Sequence, residues 1–74
     1  MLRKVHITIQ EELVGAPGVI ERVASVARLA DFNTGRAREF GILSGWVDTD
    51  LIHAIEQLPE VEAVELDGLK RATS

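Results

Sequence analysis

Cysteine is absent from this chain. No disulfide can staple the fold and no thiolate can hold a metal. The lack also fits a cytoplasmic location, which is the expectation. Basic residues are outnumbered, 8 against 12 acidic, for a net charge of -4. Phosphate binding needs a basic face, so no nucleic-acid partner is expected. No apolar run approaches the roughly 20 residues that span a bilayer, so no membrane partner is expected either. Met1 is followed by a charged strand, with Arg3 and Lys4 near its start, instead of an apolar segment, so no secretory leader is expected. Proline is scarce as well. The only two, Pro17 and Pro59, stand where helices would start and stop.

What remains is apolar enough to fold: 46% of residues are hydrophobic, too many for a disordered chain. At 74 residues the chain makes one domain at most. A domain of that size buries only about 60% of its unfolded surface, so its stability is marginal. The expected layout is a single domain over residues 1–68 and a mobile tail over 69–74.

The patterning predicts six elements. Val5, Ile7 and Ile9 alternate with Lys4, His6, Thr8 and Gln10, which predicts a half-buried strand over 3–10. Glu11 to Gly18 is a connection, with Leu13 and Val14 tucked under the domain edge. Proline suits a first helical turn, so a helix is predicted from Pro17 to Ala30, with Ile20, Val23, Ala27 and Ala30 inward. Its N-cap is poor. A short edge strand over 32–37 is expected next. Residues 40–47 form a strand with apolar residues on both faces, which belongs in the middle of a sheet. Asp48 or Thr49 caps a second helix that Pro59 stops. A last strand covers 61–66. The order β-α-β-β-α-β predicts the α+β ferredoxin-like fold: a four-stranded antiparallel sheet with two helices on one face.

No residue set suggests a reaction, so no enzymatic activity is expected. His6 and His53 have nothing to bring them together, and no metal site is expected. Glu60, Glu62 and Glu65 read as a solvated acidic edge. Ser44 lacks the strand-to-helix elbow of a hydrolase, and no base or orienting group is suggested for it. Gly15-Ala16-Pro17-Gly18 could cradle an anion at a helix start. It lacks a dinucleotide fingerprint and a phosphate-binding lysine, and no cofactor is expected.

Trp46 is the residue that stands out. If Leu43 and Val47 pack under the helices, Trp46 lies on the open sheet face with Phe40, Ile42 and Ser44, near His6 and Thr8. Such a patch is a candidate surface for a protein partner or for self-association. The opposite register would bury Trp46 and expose Leu43.

Residues 40–67 resemble the second half of the subtilisin-propeptide-like inhibitors. The resemblance rests on Gly41, on Leu51, Ile52 and Ile55, and on Pro59, Val61, Val64, Glu65 and Asp67 of PEVEAVELD. KVHITIQ is similar to the group's first strand. This resemblance implies an inhibitor or intramolecular chaperone of a subtilisin-type serine protease. The open face would pack on the protease. The tail, Leu69, Lys70, Arg71, Ala72, Thr73 and Ser74, would enter the active-site groove by strand addition. Charged Lys70 and Arg71 depart from a clear preference there. A second similarity, over Pro17 to Val23 and Asp31-Phe32-Asn33, is to ACT-type regulatory domains. It implies a sheet-paired dimer that binds an amino acid near the turn before the first helix.

Overall fold

The alternation near the N-terminus folds as β1, Leu2–Ile9, whose Val5, Ile7 and Ile9 are buried. The computed structural model describes residues 1–33 and 35–67. A 3-10 turn, Glu11–Leu13, follows β1. Leu13 and Val14 pack against the core from below, as their place in the connection predicts.

Helix α1 covers Val19–Ala27 and is shorter at both ends than the periodicity predicts. Gly18 takes a left-handed φ of 79° at the N-cap and offers no side-chain cap. At the other end Arg28 adopts φ 52°, and its N–H bonds back to the carbonyls of Ala24 and Ser25. The left-handed cap closes the helix, so Ala30 leaves the helix and starts a strand. Ile20, Val23, Ala24 and Ala27 form the buried stripe.

The largest departure lies between residues 30 and 40. Strand β2 is Ala30–Asn33, two residues earlier than predicted, and α2 occupies Gly35–Phe40. Ala37, Arg38 and Glu39 are good helix formers. One turn there buries Ala37 completely while leaving Arg38 and Glu39 in water. Gly41, at φ 73°, donates its N–H to the Ala37 carbonyl at 3.0 Å and so closes the turn. The chain then enters β3, Ile42–Asp48. Phe40 therefore ends α2 and is not a residue of the strand.

Asp48 caps the next segment as predicted, accepting the Asp50 N–H at 2.9 Å. The predicted single helix is a 3-10 turn, Thr49–Leu51, followed by the short α3, Ile52–Glu56. Strand β4 is Val61–Leu66.

The chain is thus a small α+β domain. Its sheet is antiparallel, in the order β2-β3-β1-β4. Three strands, β3, β1 and β4, pair along most of their length. Strand β2 joins the β3 edge at only two positions, Ala30 opposite Trp46 and Asn33 opposite Ser44, with an irregularity between them. A bulge between Thr8 and Ile9 lets Val61 and Val64 share one face despite their odd spacing. Leu43, Val47, Val61, Ile55 and the α1 stripe close the core with β1. Helices α1 and α3 thus cover one face of the sheet. Among the described residues no helix is long and apolar enough to cross a membrane.

Candidate open-face site

The pleat sends alternate residues of each strand to opposite sides. Because Val5, Ile7, Leu43 and Val47 are buried, Lys4, His6, Thr8, Ile42, Ser44 and Trp46 must project from the other face. The register places them in rows. Trp46 stands opposite Lys4, Ser44 opposite His6, and Ile42 opposite Thr8. Strand β4 extends two rows, with Glu65 opposite His6 and Ala63 opposite Thr8. Trp46 is 41% exposed, whereas Leu43 is fully buried. The alternative register, with Trp46 inside, is not the one adopted.

Five of the six predicted open-face residues are therefore together: His6, Thr8, Ile42, Ser44 and Trp46. The sixth, Phe40, is 62% exposed but sits on α2. The left-handed turn at Gly41 takes it off the strand. The predicted tail contacts, Leu69, Lys70, Arg71, Ala72, Thr73 and Ser74, lie outside the described residues.

His6 does more than its outward position implies. Its Nδ1 lies 2.7 Å from the Ser44 hydroxyl, and its Nε2 lies 2.7 Å from Asp67 Oδ1. One imidazole thus bridges β3 and the end of β4 across the width of β1. The Asp67 backbone N–H also donates to the Lys4 carbonyl at 2.9 Å, which holds the residue at this edge. A carboxylate can only accept, so Nε2 carries the hydrogen in the neutral ring, and Nδ1 accepts from the Ser44 hydroxyl. Sequence spacing gives no sign of this chain of bonds, whose members stand 38 and 61 residues apart. Strand parity does put all three on one face; only the cross-strand register brings them into contact.

The remaining candidates stay apart. His53 is on α3 with an 86% exposed side chain, 4.0 Å from Glu56. Glu62 and Glu65 are exposed. Glu60 instead accepts a hydrogen bond from Arg22 of α1. That bond is the main reason its carboxyl is held below the usual carboxylate range. Among the described residues no three His, Asp or Glu side chains are placed to hold a metal ion. A cleft of about 270 Å³ runs along Val14 to Gly18, with Ile20, Glu21 and Arg38 on its walls. No protein-family model, no curated protein and no solved structure matches the chain.

Proposed function

We propose that this chain is a binding module that meets a protein partner with its open sheet face. The carrying observation is Trp46, 41% exposed on a face that no helix covers among the described residues. Tryptophan contributes disproportionately where it is buried at an interface. Ile42 and Thr8 extend the patch, and the Ser44–His6–Asp67 bonds hold its polar centre in one geometry, so little side-chain freedom is lost on docking.

Within that reading we favour the ferredoxin-like β-α-β-β-α-β arrangement, with α2 as an inserted turn, and a propeptide-like role towards a subtilisin-type serine protease. The central position of β1 and β3 supports it, as does the similarity of residues 40–67 to that group. Inhibition of subtilisin by micromolar protein is the direct test. Trp46→Ala should weaken inhibition at least about tenfold while leaving the melting temperature within a few degrees. Deletion of residues 69–74 should weaken it further. Full protease activity at micromolar protein rules the inhibitory role out.

The second reading is an ACT-like regulatory dimer. The cleft at the turn before α1, with Arg38 on its wall, favours it. Its test is a rise in melting temperature with an amino acid, by mass action. No rise with any of the twenty excludes it.

A further inference from the structure

We infer that Ser44 is an activated nucleophile that accepts acyl groups from activated esters, with His6 as its base and Asp67 as the group that positions the base. This does not depend on the binding reading, which uses the same face only as a surface.

The inference rests on the order of the bonds. A serine hydroxyl is a weak nucleophile until an adjacent base can take its proton, and that base is best held by a third group. Here the Ser44 Oγ to His6 Nδ1 and His6 Nε2 to Asp67 Oδ1 distances are both 2.7 Å. Asp67 selects the tautomer whose free lone pair faces Ser44. The roles are those of a hydrolytic triad with the two imidazole nitrogens exchanged. His6 and Ser44 lie on β1 and β3, the two strands with a neighbour on each side, so base and nucleophile stand on regular strands instead of loops.

The surroundings define the acyl donor. Ile42 and Trp46 flank Ser44 at two residues on either side, on the same face. They offer an apolar bed for an aryl or short acyl group. Backbone donors of β3 lie in the plane of the sheet, directed at its neighbours, and cannot stabilise an oxyanion above it. The reaction is therefore limited to donors with a good leaving group, such as aryl esters. In that step the Ser44 oxygen bonds to the acyl carbon and the ester C–O bond breaks. The hydroxyl proton passes to His6 Nδ1, and the electron pair departs with the aryl oxide. The products are acyl-Ser44, a protonated His6 that returns its proton to solvent, and the free aryl oxide.

The test is incubation of the intact chain with p-nitrophenyl acetate, with peptide mass mapping of the acetyl group and a parallel record of p-nitrophenolate release. Acetylation at Ser44 is expected, and Ser44→Ala should remove it. His6→Ala should slow it by about 100-fold, the contribution of a positioned general base. His6→Gln, which retains polarity without a base, should match that loss, and circular dichroism melts should show both variants folded. Asp67→Asn should slow it at least about tenfold. His53→Ala, which removes the other histidine, should leave the rate unchanged. Acetyl groups found only on lysines and the N-terminal amine would overturn the assignment. So would an equal rate at Ser44 in the folded His6→Gln protein.

Discussion

Single residues carry unusual weight in a chain this small, and Gly41 carries more than most. It sits at φ 73°, and a Cβ there would lie 2.7 Å from Val14 Cγ2. Its carbonyl also accepts the Ile9 N–H at 2.7 Å, which joins the end of β1 to the start of β3. Any side chain must pay for the left-handed backbone and displace Val14 from beneath the core. Gly41→Ala should destabilise the domain by about 2 kcal/mol or more. A urea melt with an unchanged m-value and a lower midpoint would register it. Gly18 shares the left-handed backbone but faces open space, so Gly18→Ala should cost less, about 1 kcal/mol.

Between elements, the contact that answers to pH is Arg22 of α1 with Glu60, just before β4. The Arg22 hydrogen bond lowers the Glu60 pKa, the bond to its own backbone adds to this, and partial burial opposes both. A carboxyl depressed in the folded state stabilises the fold above its unfolded pKa. That contribution disappears as pH falls through the folded value. Glu60→Gln should therefore lower the melting temperature at pH 7, and the gap from the parent protein should close on acidification below the ordinary carboxylate range. A gap that stays constant from pH 7 to pH 2 would show that the pair contributes nothing through charge.

Much of the element plan was legible in the sequence, for physical reasons. Val5-Ile7-Ile9 and Leu43-Val47 declare their faces by alternation, and Pro59 and Asp48 punctuate the segment between β3 and β4. The stretch from Asp31 to Phe40 has no such period. The helix propensity of Ala37, Arg38 and Glu39 is too short a signal to fix a helical turn, and the burial of Ala37, a tertiary fact, decides it. The open face was readable as a face from parity at Ile42, Ser44 and Trp46. Its internal chemistry was not. Ser44, His6 and Asp67 meet because β3 and β4 flank β1 in one specific register, and register is a property of pairs of strands.

At the scale of the whole molecule, the sheet is built asymmetrically. Among the described residues, one side is filled by α1 and α3; the other is left to Trp46, Ile42, Thr8 and the Ser44–His6–Asp67 bridge. Strand order adds a second asymmetry, across the sheet instead of through it. Strands β1 and β3 have neighbours on both sides, β4 has one, and β2 touches its single neighbour at two positions. In time, that becomes a clock. Backbone amides of β1 should exchange with deuterium only when the entire domain opens, those of β4 sooner, and those of β2 first. Amide exchange followed residue by residue would read that order directly, and equal protection in β2 and β1 would refute it. Strand β2, which borders Trp46 on the side away from β1, is thus the one expected to open most often, so the rim of the open face is remade far more often than its centre.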